Sequence, residues 1–160
     1  MIEKTLVLVK PDGVQRGIVG EIIHRFEKVG LKIAGMKMVH IDSEFAKTHY
    51  AAHVDKKFYP GLEALITMGP VVAMVLEGID AVELVRKMVG STEPKSAQPG
   101  TIRGDYAHVS YGYADAKGIS IKNVIHASGD KEDAEKEVKL WFSEDELHDY
   151  NVVHDVHTKN

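Results

Sequence analysis

Val71-Val72-Ala73-Met74-Val75-Leu76 is the longest uninterrupted apolar run in the chain. It is too short for a buried helix and has no polar alternation, so it reads as a strand near the centre of a sheet. Gly69-Pro70 stops a short helix over about 61–67 just before it, and Asp80 just after it can cap a helix carrying Ala81, Leu84, Val85 and Met88 on one side. Further upstream, Ile33 to Ile41 reads as a strand, mildly broken by Gly35, and Asp42-Ser43 offers capping oxygens to a helix starting near Glu44. Thr5 to Val9 is a β-rich run stopped by Pro11-Asp12-Gly13. From there Val14, Ile18, Val19, Ile22, Ile23, Phe26 and Val29 keep helical spacing up to Gly30.

Downstream, the stretch from Gly90 to about Gly118 is rich in Gly, Pro, Ser and Tyr and shows no periodicity. Ile119 to Ile125 reads as another strand. A helix from about Lys131 to Phe142 then puts Ala134, Val138, Trp141 and Phe142 on its inner side. The order predicts an α+β fold, a ferredoxin-like βαββαβ sandwich with a mostly antiparallel sheet and helices segregated on one face.

The 160 residues, 44% hydrophobic and 28% charged, suffice for one core, and no linker or repeat divides them. A single domain over 1–160 is expected, with a polar tail fraying from about Val152. The net charge of -4 offers no basic excess for nucleic acid or an anionic membrane. Cysteine is absent, which removes disulfides, thiolate metal sites and thiol nucleophiles. No run approaches the ~20 apolar residues of a membrane span, and Pro11 arrives too early for a signal peptide, so a cytoplasmic protein is expected.

An anionic ligand must then be met by a few placed cations. The aperiodic stretch holds Lys95, Arg103 and Asp105 among its glycines, and two readings stand beside each other: a loop folding around an anion, or a surface excursion. No P-loop and no Gly-x-Gly-x-x-Gly occurs. His49 and His53 are four apart, as two ligands on one helix would be, but position 50 is Tyr rather than the Glu of a zincin and no third ligand presents itself. His126 sits where a strand ends before a helix, in Asn123-Val124-Ile125-His126-Ala127-Ser128-Gly129. Glu137 lies at the edge of that helix's apolar stripe. A carboxylate there either pairs with an imidazole, fixing its tautomer and freeing the other nitrogen as a nucleophile, or makes surface pairs with Lys136 and Lys139.

Four segments in order resemble the nucleoside diphosphate kinase family: Lys10-Pro11-Asp12-Gly13-Val14-Gln15-Arg16-Gly17, Val89-Gly90-Ser91-Thr92-Glu93-Pro94, Gly100-Thr101-Ile102-Arg103-Gly104-Asp105 and Asn123-x-x-His126-x-Ser128. The resemblance runs from about Lys4 to Tyr150. It implies ping-pong transfer of a γ-phosphate from a nucleoside triphosphate to a nucleoside diphosphate, with Mg²⁺ held mainly by the nucleotide phosphates. It casts His126 as the phosphorylated residue and Glu137 as the carboxylate holding its other ring nitrogen. Arg86, Thr92 and Arg103 fall at phosphate-binding positions, and Lys10 and Asn123 at positions meeting the sugar hydroxyls and, for Lys10, the phosphates. Tyr50 and Ser128 match residues packed beside the histidine, and Phe58 and Leu62 match an apolar clamp that stacks any base. A homo-oligomer is implied, a hexamer before a tetramer.

Two departures stand out. Gly129, followed by Asp130, replaces the family's usual carboxylate after the serine. The stretch from His108 to Lys122 is longer than the family's usual connection, leaving open whether it decorates the nucleotide cleft or a subunit contact. The non-enzymatic rivals are an RNA-binding module, disfavoured by the absence of aromatics from Val71 to Leu76, and a catalytically silent nucleotide sensor or scaffold.

Overall fold

The computed structural model describes residues 1–159. Strands β1 (Ile2–Val9), β2 (Lys32–Val39), β3 (Val71–Ile79) and β4 (Ile125–Ala127) form one antiparallel sheet in the order β2-β3-β1-β4. The central pair runs in register from Ile2 opposite Ile79 to Val9 opposite Val72. The fold is α+β, as expected, and β3 contains the apolar run that organised the prediction.

The helices do not stay on one face. Val72, Met74 and Leu76 point into a core closed by α2 (Val19–Lys28) and α5 (Ala81–Val89). Val71, Ala73 and Val75 point into a second core formed with residues of α3 (Ser43–His49), α4 (Tyr59–Thr67) and α8 (Lys131–Trp141). A strand covered on both sides cannot alternate, which is why the run is unbroken.

Four further local expectations change. The helix expected from Val14 to Val29 is two: α1 (Pro11–Gln15), then α2 after a break where Gly17 takes a φ of +70°. That left-handed step re-aims the chain and is cheap only for glycine. The aperiodic stretch contains α6 (Ile102–Tyr106) and α7 (Tyr111–Lys117), each N-capped by a hydroxyl, Thr101 and Ser110. At five and seven residues neither is long enough to show a period.

The strand expected over 119–125 begins only at Ile125. Val124 sits at φ +61°, and its N–H donates to Asp12 Oδ2 while its carbonyl accepts from the Lys10 amide. These bonds replace the ladder and turn the chain sharply into β4. Finally, the tail from Val152 does not simply fray: it contains α9 (Asp155–Thr158), and His154 and Thr158 lie against Gly30.

Candidate active site

β4 ends by delivering His126 to the floor of a cleft of about 580 Å³, a size suited to a nucleotide. Asp130, beyond the following turn, accepts from the Asp133 amide and starts α8, whose second turn brings Glu137 back over the histidine. Both Glu137 carboxylate oxygens lie 3.1 Å from His126 Nε2. The Ser128 hydroxyl donates to Glu137 Oε2 at 2.6 Å and accepts from the Leu6 amide at 3.2 Å, tying the pair to β1. Burial pushes the Glu137 pKa up, but the bond and charge of His126 and the bond from Ser128 outweigh it, and the net shift is downward. An ionised carboxylate there makes Nε2 the protonated nitrogen of His126 and leaves the Nδ1 lone pair free.

The residues assigned to the site by the family resemblance meet in this one place, whereas of the three charged residues noted in the aperiodic stretch only Arg103 lines it: Lys95 does not, and Asp105 pairs with Arg25 at 2.5 Å. Lys10, Tyr50, Phe58, Leu62, Arg86, Thr92, Arg103 and Asn123 line the cleft with His126 and Glu137, while Ser128 is fully buried beneath it. Arg103 is buried, and its guanidinium donates to the carbonyls of Asn123, Gly90 and Ile125, the last at 2.7 Å. It therefore builds the bend before β4 as well as facing the cleft. Burial first, and then the charge of Arg86, brings its pKa down to about 10, so it stays cationic at neutral pH. Lys10 is buried next to it. Burial lowers its pKa, Asp12 opposes that and Arg103 adds to it, for a net value of about 8.

Asn123 donates from Nδ2 to the Thr92 carbonyl at 2.8 Å, whereas its Oδ1 is buried without a partner. Such an acceptor is costly to leave bare, and a ligand hydroxyl would satisfy it. Tyr50 is nearly buried, its ring 6.2 Å from that of His126 and close to perpendicular; burial, then the Glu137 charge, push its hydroxyl pKa up. Phe58 is the opposite case, 54% exposed at the cleft mouth with Leu62 one turn away.

The lengthened segment decorates the cleft. Tyr111, Asp115 and residues 119–121 form part of its wall, and Ser120 passes so close to Gly61 that a Cβ there would lie 3.1 Å from its amide nitrogen. The segment is tied down by two bonds, Tyr111 N–H to Glu93 Oε1 at 2.9 Å and Lys95 N–H to the Val109 carbonyl. At Gly129 a Cβ would come within 2.7 Å of Asp133 Oδ2, the free end of an exposed side chain that can turn aside, so nothing in the structure requires glycine there.

Sequence reasoning missed the part played by His49. It is the last residue of α3, whereas His53 lies beyond it in a short 3-10 turn, so the two do not share a helix face. Instead the His49 ring stands 4.8 Å from that of His126, and its Nδ1 accepts from Trp141 Nε1–H at 3.1 Å. His49, His126 and Glu137 form a trio within 4.8 Å, close enough for a metal ion. Their facing atoms are already engaged with one another, with Ser128 or with Trp141. The four-residue spacing to His53 drew attention to His49 for the wrong reason, as half of a ligand pair, and nothing in the sequence pointed to Trp141 as its partner.

Residues 3–147 match the family model described as nucleoside diphosphate kinase. The chain is 57% identical to a nucleoside diphosphate kinase of Pyrococcus abyssi, over 92% of this chain and 89% of the relative. It is 52% identical to that of Thermus thermophilus, over 91% and 99%. Among solved structures it resembles the Borrelia burgdorferi enzyme with bound vanadate and ADP, described as a transition-state mimic, with a TM-score of 0.95 and 42% identity over 99% of this chain and 97% of that one. The Halobacterium salinarum enzyme in complex with CDP gives a TM-score of 0.88 at 46% identity, over 98% of both chains. Matches of this extent across nearly the whole length place the chain in the nucleoside diphosphate kinase family, a family of phosphotransferases.

Proposed function

We propose that the protein moves the γ-phosphate of a nucleoside triphosphate to a different nucleoside diphosphate through a phosphohistidine on His126. The observation that carries this reading is an imidazole with Nε2 held by Glu137 and Nδ1 free, in a cleft that also holds Lys10, Arg86 and Arg103. Nδ1 attacks the γ-phosphorus as the bond to the bridging oxygen breaks, and the nucleoside diphosphate leaves with that oxygen's electrons. The second diphosphate reverses the step. Glu137 stabilises the imidazolium character that grows during attack, and the cations neutralise charge on the transferring group. The bare Oδ1 of Asn123 suits a sugar hydroxyl. Phe58 and Leu62 offer an apolar face without edge-reading donors, which suits low base specificity.

Mg²⁺ bound to the nucleotide phosphates would neutralise part of their charge. The donor set fits that arrangement rather than a protein-held ion, because Glu137 is already engaged and Lys10, Arg86 and Arg103 are cations. The same reading makes the protein a cytoplasmic homo-oligomer, a hexamer before a tetramer, which sedimentation of the purified chain would check.

Intact-protein mass after brief exposure to MgATP tests the reaction. One acid-labile phosphoryl group should appear, and it should vanish on adding GDP as GTP forms. Nucleotide binding with no phosphoryl gain would favour a silent sensor or scaffold instead.

Glu137→Gln should slow phosphorylation about 10- to 100-fold, because a hydrogen bond to a charged group contributes ~1.5–3 kcal/mol. An unchanged single-turnover rate would remove its orienting role. Lys10 sets a pH limit. With a pKa of about 8 in the free protein, it loses its charge as pH rises through that value, so kcat/KM should fall there. Lys10→Arg should carry activity to higher pH; identical profiles would exclude Lys10 as the source. Stability of the ligand-free protein should respond with the opposite sign. The unfolded chain holds the Lys10 proton up to its usual 10.5, so this group makes the fold more stable as pH rises from about 8 to 10.5.

A further inference from the structure

Glu137 has more suitors than the proposed mechanism uses. Its carboxylate serves His126 and Ser128, but Nδ1 of His49 is also only 4.0 Å from Oε1. A neutral imidazole can carry its proton on either nitrogen. With the proton on Nδ1, a small ring movement would let His49 donate to Glu137 and draw that oxygen away from His126. With the proton on Nε2, His49 offers Glu137 only a lone pair and cannot compete.

The indole of Trp141 decides between the two. Its Nε1–H is a donor only, and it points at His49 Nδ1 from 3.1 Å, so that nitrogen must accept. The proton is left on Nε2, which is buried without any partner. That is the worse choice for Nε2 taken alone, and something must enforce it. The indole is itself fixed, 3% exposed in the second core and packed edge-on against Phe45 with 4.9 Å between ring centroids. His49 has no exposed side-chain surface through which water could relay a proton between its nitrogens. It is also held neutral: burial first, then the charge of His126, brings its pKa down to about 3.

We propose that Trp141 is a positioning residue that locks His49 in the Nε2–H tautomer and thereby reserves the Glu137 carboxylate for His126 and Ser128. This rests on the reading of His126 as nucleophile for its kinetic consequence, but the tautomer itself does not. Trp141→Phe removes the N–H while keeping an aromatic ring in the core. His49 is then free to donate to Glu137, and single-turnover phosphorylation by MgATP should slow by up to the ~10- to 100-fold expected from losing the charged bond between Glu137 and His126, with nucleotide KM little changed. Adding His49→Phe to that variant removes the competing donor, so the double variant should recover at least severalfold over Trp141→Phe alone. A role in packing only predicts the reverse, a double variant slower than either single one.

¹⁵N NMR of histidine-labelled protein reads the tautomer directly and does not require the double variant to fold. His49 should carry its proton on Nε2 in the parent chain and on Nδ1 in Trp141→Phe. A parent protein with Nδ1 protonated, an unchanged tautomer in the variant, or a double variant slower than the single would each overturn the proposal. Absence of any phosphohistidine in the parent chain would instead overturn the proposed function and leave the NMR result to be judged separately.

Discussion

His126→Ala should abolish phosphoryl transfer, with turnover reduced ~10⁴-fold or more, as expected when a covalent nucleophile is removed. The surroundings explain why no neighbour should substitute. His49 is buried with its Nδ1 taken by Trp141, and Ser128 lies fully buried beneath the cleft with its hydroxyl spent on Glu137. Lys10 and Arg103 are cations proposed to attract the phosphates, and neither a protonated amine nor a guanidinium has a lone pair for attack. Binding should survive, because the groups proposed for the base, the sugar and the phosphates are untouched. Calorimetry with ADP should therefore give near-parent affinity, while the intact mass after MgATP shows no added phosphoryl group. Residual turnover above about one per cent of the parent rate, in a preparation free of parent enzyme, would defeat the phosphohistidine route.

How much of this was legible depends on whether the deciding interaction is local. The apolar run of β3 and the spacing of Ile22, Phe26 and Val85 are local, and they led to the antiparallel α+β sheet. The cap expected of Asp80 was wrong, because its carboxylate binds the N-terminal amine at 2.9 Å while Glu3, 79 residues from Val82, accepts from that amide of α5. The second helical layer was missed although β3 itself signalled it: Val71, Ala73 and Val75 needed a core as much as Val72 and Met74 did. The start of β4 was illegible for a different reason. Val124 takes a left-handed backbone conformation because Asp12, Lys10 and Arg103 bind the groups around it, and two of those partners, Asp12 and Lys10, lie more than a hundred residues away in sequence.

The site divides the same way. His126 and Glu137 are eleven residues apart across one turn, so their contact could be reasoned from the strand end and the helical stripe. Lys10, Arg86, Thr92, Arg103 and Asn123 come from five separate places, and only the family resemblance united them. His49 reaches Trp141 across 92 residues, beyond the reach of either kind of reasoning.

Arg103→Ala should be the most damaging change outside the histidine, because Arg103 does two things with one guanidinium. Three of its five N–H groups hold the carbonyls of Asn123, Gly90 and Ile125, leaving two for a ligand in the cleft it lines. Loss of one charged donor to a developing charge costs about 10²–10³ in rate. Loss of these three bonds, with only the Asn123 carbonyl keeping the Ile125 amide at 2.7 Å as a further donor among the bonds described, should loosen the bend that aims His126, adding a fall in thermal midpoint. Arg103→Lys separates the two tasks: it restores a positive charge but not the fork, so it should recover part of the rate and little of the stability. A variant lacking Arg103 that phosphorylates within threefold of the parent would show that Arg86 and Lys10 suffice. Ligand response offers an independent check. Arg86 lowers the pKa of Arg103, a mark of repulsion that a phosphate between them would relieve. ADP should therefore raise the thermal midpoint of the parent chain more than that of Arg103→Ala, since a ligand stabilises a fold in proportion to how much more tightly it binds the native state.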